Sequence, residues 1–276
     1  MSAGRLVICP TPIGNLEDVT LRVLAALREA DIVACEDTRR TRTLLHRYGV
    51  TGTLVSYHEH NERERAAELV PRMRAGAVVA LVSDAGMPLV SDPGFILVEA
   101  CVAAGLSVEV LPGPSSAIAA LVASGLPAER WRFTGFLPRR RTELERLLLT
   151  STDTLVAFES PKRLPSTLEL LAAADPTRPA AVCRELTKVH EEVRRGSAAE
   201  LAAHYEAEPP RGEVVLVVGP APAGLTPGTE ERAIAALQTL VEAGAKPRPA
   251  AKVVAELTGV PANRLYAALT KPTAAR

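Results

Sequence analysis

The sequence predicts an α/β protein built from two α/β halves and a small helical appendage. Three observations carry that expectation. Short β-branched runs alternate with helical patterns through most of the 276 residues, as a layered fold with a largely parallel sheet requires. Polar Gly/Pro/Ser/Asp loops follow several predicted strands, where open α/β sheets place their ligands. The stretch Gly219-Pro220-Ala221-Pro222-Ala223-Gly224 then breaks the pattern with the composition of a linker. The length fits two domains of roughly 150 residues each, and 47% hydrophobic content is enough to build their cores.

In chain order the predicted strands are Leu6–Cys9, Ile32–Cys35, Leu54–Tyr57, Val78–Val82, Val108–Leu111, Phe133–Phe136, Leu155–Phe158, Ala180–Cys183 and Val214–Val218. Amphipathic stretches lie between them, the clearest over Asn61–Ala75. There Ala66, Leu69, Val70 and Met73 recur at steps of three and four, while Glu62, Arg63, Glu64 and Arg65 charge the opposite face. The segment Leu111-Pro112-Gly113-Pro114-Ser115-Ser116 ends one run of strands and opens a helix near Ala117, so it reads as a hinge. The expected divisions are 1–112, 113–220, and a linker with helical appendage over 221–276. Within the appendage, Glu230–Ala243, Pro249–Leu257 and Pro261–Leu269 read as helices, with a helix-turn-helix rhythm around Thr258-Gly259-Val260-Pro261.

Composition excludes several classes. Charges balance at 32 Lys+Arg against 32 Asp+Glu, so no global field draws the chain onto a phosphate polymer. The balance is uneven along the chain: −3 over 1–112, zero over 113–220 and +3 over 221–276. The densest basic knot runs from Arg130 to Arg146, with Arg132, Arg139, Arg140 and Arg141 inside it. It reads either as a phosphate-binding cluster or as the solvated start of a helix. Aromatics are 3% of residues, too few for a broad base-stacking platform. No apolar run approaches the roughly 18 residues of a membrane span, and the four apolar residues before Pro10 are too few for a signal-peptide core, so a cytoplasmic location is expected. Cys9, Cys35, Cys101 and Cys183 stand singly and read as reduced, buried small hydrophobes.

The chemistry is expected in the loops after strands. These are Pro10–Asp18, Ser83–Gly94 and Pro112–Ser116, each of which taken alone also reads as a plain strand-to-helix turn. None contains a dinucleotide fingerprint, a P-loop or a nucleophile elbow. His58 and His60 lack a third ligand at metal spacing, so no metal is expected. Glu36 and Asp37, beside Arg39, Arg40 and Arg42, read as an acid/base pair or as a helix cap. Further charged clusters follow strands at Phe158–Arg163 and Cys183–Glu192. The residues alone thus reach a polar cleft between two α/β halves without naming its ligand.

The ordered series PTPIGNLED, CEDTR, SYHEHN, SDAGMPLVSDPG, PGPSSAIAAL, FTGFLPR, FESPKR, CRELTKVHEE and GEVVLVV resembles the ribosomal RNA small subunit methyltransferase I family, of the tetrapyrrole-methylase-like superfamily. The likeness covers nearly the whole chain. It implies two α/β domains of tetrapyrrole-methylase type with a cofactor cleft between them, and a homodimer. The implied activity is S-adenosylmethionine-dependent 2′-O-methylation of a cytidine ribose in the decoding centre of 16S rRNA, within the small ribosomal subunit. Carried over by motif position, the cofactor contacts fall on Ile13, on Ser83, Asp84, Ala85 and Pro88, on Ser115 and Ser116, on Phe158 or Glu159, and on Leu186. Glu36 and Asp37 are the implied bases, since related tetrapyrrole enzymes place an acidic base at that strand end. Arg39, Arg139, Arg140, Arg141, Lys162 and Lys188 are assigned to the RNA backbone. The chain departs from the family pattern at Met87, commonly Thr, and at Lys162, commonly His, which removes a ring that titrates near neutrality. Two competing readings are a methyltransferase acting on a tetrapyrrole or other small substrate, and a non-catalytic RNA-binding protein of ribosome assembly with the same fold.

Overall fold

A computed structural model describes residues 4–221, 229–258 and 260–270. Its contacts divide the chain into two compact units, the first running through Ala123 and including Cys183–Glu192, the second comprising Ser124–Val182 and the chain from Val193 onward.

The first unit alternates strand and helix: β1 (Arg5–Cys9), α1 (Leu21–Glu29), β2 (Ile32–Cys35), α2 (Thr38–Arg47), β3 (Thr53–Ser56), α3 (Glu62–Arg74), β4 (Val78–Val82), α4 (Phe95–Ala103), β5 (Ser107–Val110) and α5 (Ser116–Ser124). The strands form one sheet in the order β3-β2-β4-β1-β5, parallel throughout. β1, β2 and β4 are central and read as continuous apolar runs because helices cover both faces. Side-chain alternation sorts them. Val7, Cys9, Val33, Cys35, Ala80 and Val82 pack with Leu24 and Leu27 of α1 and Leu44 and Leu45 of α2. Leu6, Ile8, Ile32, Ala34, Val79 and Leu81 pack with Leu69 and Met73 of α3 and Leu97 and Cys101 of α4 on the other face. In this register Cys9 pairs with Val82, and Val82 with Cys35, so the loops that follow leave one edge of the sheet side by side.

The second unit contains β6 (Trp131–Phe136), α6 (Arg141–Thr150), β7 (Thr154–Glu159), α7 (Leu164–Ala174), β8 (Pro179–Arg184), β9 (Glu192–Ser197), α8 (Ala198–Ala207) and β10 (Val214–Val218). Its sheet has the order β6-β7-β10-β8-β9. Here the expectation of a largely parallel sheet needs correction: β6 and β7 are parallel, but β10 runs antiparallel to β7, with Val214 opposite Glu159. The five residues of β10 are all buried, and a uniformly apolar run carries no signal of strand direction. Arg178, 2% exposed, ties the end of α6 to the end of β10 by donating to Leu148 O, Ser151 O and Gly219 O.

Three further helices follow, α9 (Thr229–Glu242), α10 (Pro247–Thr258) and α11 (Ala262–Thr270). They share a small core of Ala233, Leu237, Ala251, Val254, Val260 and Leu265. Residues 222–228 of the expected linker and Gly259 of the expected turn lie outside the described residues.

Candidate active site

In the first unit the loops after β1, β4 and β5 converge. Thr11 and Gly86 exchange backbone hydrogen bonds of 2.9 Å in each direction. The Thr11 hydroxyl donates to Ser83 O at 3.0 Å, and Ser83 Oγ donates to Gly86 O at 2.9 Å. Gly86 has φ +84°, and a Cβ there would meet Ile13 Cγ2 at 3.3 Å and Pro114 O at 3.6 Å. All three loops therefore meet at a position that favours glycine. The tip of the β8–β9 connection joins them. Thr187 Oγ1 accepts from Asn15 N–H at 3.0 Å, and a Cβ on Gly14 would lie 2.5 Å from Lys188 Cγ. Among the described residues, the non-glycine residues at positive φ are Leu89, Ser91, Glu185 and Thr187. All four lie in this loop surface, and strain of that kind collects where function fixes the backbone.

Ile13, Ser83, Asp84, Ala85, Pro88, Ser115, Ser116 and Leu186 thus belong to one unit, on loops at one sheet edge or on the tip that packs against them. Ser83, Ile13 and Leu186 are buried. Ser115 immediately precedes α5, and its carbonyl accepts from Ala119 N–H at 2.9 Å. The first N–H groups of α5 therefore emerge beside two serine hydroxyls. Ser83 and Asp84 also line a pocket of about 250 Å³ with Thr11, Arg40, Thr41 and Leu44.

The acidic residues separate by environment. Asp37 caps α2, accepting from Arg39 N–H at 2.8 Å, and its other oxygen accepts from Arg39 Nη2 at 2.9 Å. The Arg39 side chain and backbone hold its carboxyl down at about 2. Asp37 donates its own N–H to Asp84 Oδ1 at 3.0 Å, and Arg40 lies 3.5 Å from Asp84 Oδ2. Glu36 is exposed, yet partial desolvation by its loop, and then Asp84, push its carboxyl above the ordinary range. Asp92 is raised to about 7 by burial, then by Glu36 and Asp84. Asp92 and Arg40 were visible within the motifs, but nothing in their spacing marked them as members of this cluster.

In the second unit Phe158 packs edge-on between Phe133 and Phe136, at centroid distances of 5.0 and 5.4 Å. Glu159 is buried, and its carboxylate accepts from Ser160 N–H at 2.7 Å and Thr167 Oγ1 at 2.8 Å. Arg163 Nη2 lies 3.4 Å from the same carboxylate. Glu159 therefore serves its own unit as an anchor. Arg140 and Arg141 pair with Glu143 and Glu145 along α6, Lys188 pairs with Glu185 at 2.9 Å, and Lys162 is exposed in the turn before α7.

The first unit is thus a parallel α/β sheet whose loops after β1, β4 and β5 meet at one edge, with Glu36, Asp84 and Asp92 clustered beside them. The chain belongs to the tetrapyrrole (corrin/porphyrin) methylases, whose profile matches residues 5–202, and within them to the ribosomal RNA small subunit methyltransferase I family. A relative of that name from Mesorhizobium japonicum is 46% identical over 95% of this chain and 90% of its own length. Another of that name, from Thermotoga maritima, is 45% identical over 78% of this chain and 98% of its own. Among solved structures, the uroporphyrin-III-C-methyltransferase from Thermus thermophilus aligns with a TM-score of 0.57 at 28% identity, covering 78% of this chain and 94% of that one.

Proposed function

We propose that this chain is an S-adenosylmethionine-dependent methyltransferase that methylates the 2′-hydroxyl of a cytidine ribose in the decoding centre of 16S rRNA. The relatives, which bear the name ribosomal RNA small subunit methyltransferase I, support small-subunit rRNA as the substrate. The observation that carries the chemistry is the convergence of three strand-end loops at Gly86, beside Glu36, Asp84 and Asp92.

The residues fit the cofactor. S-adenosylmethionine bears a sulfonium and an ammonium, and Asp84 supplies opposite charge within the cluster it forms with Glu36 and Asp92. Its carboxylate suits the open N–H groups of α5 with Ser115 and Ser116. Ile13, Ser83, Ala85, Pro88 and Leu186 provide the surrounding wall, and Gly86 lets Ile13 and Pro114 close against the loop that carries them. When bound, the cofactor supplies an electrophilic methyl group.

Glu36 accepts the proton of the ribose hydroxyl. Its raised carboxyl makes it a stronger base than an ordinary glutamate, whereas Asp37 is committed to its cap and to Arg39. Asp84 holds the start of α2 through the Asp37 N–H and so fixes where Glu36 stands. Positioning of this kind removes roughly 7–11 kcal/mol of a barrier, and a base adds about 10²–10⁴-fold. The basic segment after β6 and Lys162 meet the RNA backbone. In the cytoplasm the active form is a homodimer, in which a second copy covers Phe95, Val102, Val110, Ile118 and Val122, all exposed on α4, β5 and α5.

Incubating the protein with labelled cofactor and undermethylated small subunits or naked RNA, then mapping the label by nuclease digestion and mass spectrometry, tests the reading. Label on one cytidine ribose is expected; label on a base, on protein or nowhere would sink it.

A further inference from the structure

The second unit contains a pocket of about 300 Å³ between α6 and α7, lined by Arg139, Arg141, Arg163, Ser166, Thr167 and Glu169 over an apolar floor. Its arginines are not equivalent. Arg163 donates from Nη1 to Leu137 O at 3.2 Å and from Nη2 to Pro138 O at 2.6 Å, and the buried Glu159 carboxylate neutralises it at 3.4 Å. Two of its N–H groups fix the turn that leads into Arg139. Arg141 pairs with Glu145 at 2.8 Å, with 80% and 38% of the two side chains exposed, and an exposed pair of that kind holds its partners weakly. Arg139 has no carboxylate within ion-pair distance among the described residues. The Ser166 and Thr167 hydroxyls donate to Arg163 O and Glu159 Oε2, so the donors left for a ligand are guanidinium N–H groups.

We propose that this pocket holds one internucleotide phosphate of the RNA substrate through Arg139 and Arg141, with Arg163 as the positioning residue. The inference rests on the RNA-directed reading above and names a subsite of it. Guanidinium forks match the oxygens of a phosphate. With Arg163 paired to Glu159 and Arg141 to Glu145, Arg139 is the arginine of the pocket with no carboxylate in ion-pair range among the described residues, and the exposed Arg141–Glu145 pair can open to join it on one phosphate. Glu169 is the carboxylate that lines the pocket beside them.

The test measures affinity for undermethylated small subunits from 50 to 200 mM salt, using the full chain and its R139Q, R141Q, E169Q and R72Q variants. Arg72 pairs with Glu68 on α3, and its variant reports the loss of a surface charge elsewhere. Each of R139Q and R141Q is expected to flatten the log–log salt slope, and the double variant to flatten it by about 0.7–0.9, the loss of one phosphate contact. KM should rise with kcat unchanged at saturating RNA, E169Q should tighten binding, and R72Q should leave the slope alone. An R139Q slope equal to wild type, or an equal fall in R72Q, overturns the pocket while leaving the RNA activity standing. Wild-type protein that neither binds nor labels RNA overturns the activity and the pocket with it. Cofactor calorimetry on each variant separates misfolding from a lost contact.

Discussion

Thr11 and Gly86 lock the loops after β1 and β4 together through a reciprocal pair of 2.9 Å backbone hydrogen bonds. The pair works because Gly86 sits at φ +84° with Ile13 close by. Gly86→Ala forces a side chain into the left-handed region and against Ile13. A loss of about 1–2 kcal/mol of stability is expected, together with weaker cofactor binding. Thermal melting and calorimetry read the two effects, and unchanged values for both would remove Gly86 from the site.

Glu36 and Asp37 are neighbours with opposite environments, and their amides should behave differently. Glu36→Gln is expected to lower kcat at saturating RNA by about 10²–10⁴-fold with cofactor affinity retained. Asp37→Asn keeps an N-cap residue and should stay within a few-fold of wild type. Single-turnover rates decide, and the reverse ranking would return the base to Asp37.

Asp92 predicts a pH dependence of stability. Its carboxyl rises from an ordinary 3.8 to about 7 in the folded chain, chiefly through burial. The folded state therefore binds this proton more tightly than the unfolded state does. The contribution is complete below about pH 4 and fades as pH rises through about 7. Asp92→Asn cannot ionise, so its melting temperature should fall less than that of wild type between pH 5 and 8. Parallel curves would refute the assignment.

The exposed apolar side chains of α4, β5 and α5 bear on the oligomer. Val122 is 75% exposed, so an arginine there is expected to change monomer stability by no more than about 0.5 kcal/mol. If a second copy covers this face, Val122→Arg converts a dimer into a monomer in light scattering. A wild-type monomer, or a variant that stays dimeric, places the interface elsewhere or nowhere.

The strands were legible where burial on both faces makes them continuous and apolar, as in Val78–Val82 and Val214–Val218. β9 was not, because Glu192–Ser197 reads EVRRGS, with neither an apolar run nor clean alternation. The strand-end loops were legible from their turn residues. What those residues do was not, since it depends on contacts across the chain. Asp37 and Asp84 are 47 positions apart, and Asn15 and Thr187 are 172 apart. The basic knot showed the same limit: composition located it, but only the Arg140–Glu143 and Arg141–Glu145 pairs distinguish Arg139 from its neighbours.

The membership of Cys183–Glu192 in the first unit bears on how the protein is made. The strand-end loops of β1, β4 and β5 have all left the ribosome once Ser116 is out, yet Thr187 and Lys188, which cover Asn15 and Gly14, follow some seventy residues later. A nascent chain halted at Ala123 would carry every parallel strand of its sheet and still leave Gly14 uncovered. The loop surface at this sheet edge is thus completed only after β6, β7 and β8 have been synthesised, and the unfinished chain cannot assemble it early. For the same reason the first unit cannot be excised as one contiguous fragment, and grafting it onto another protein requires two separate stretches of the gene.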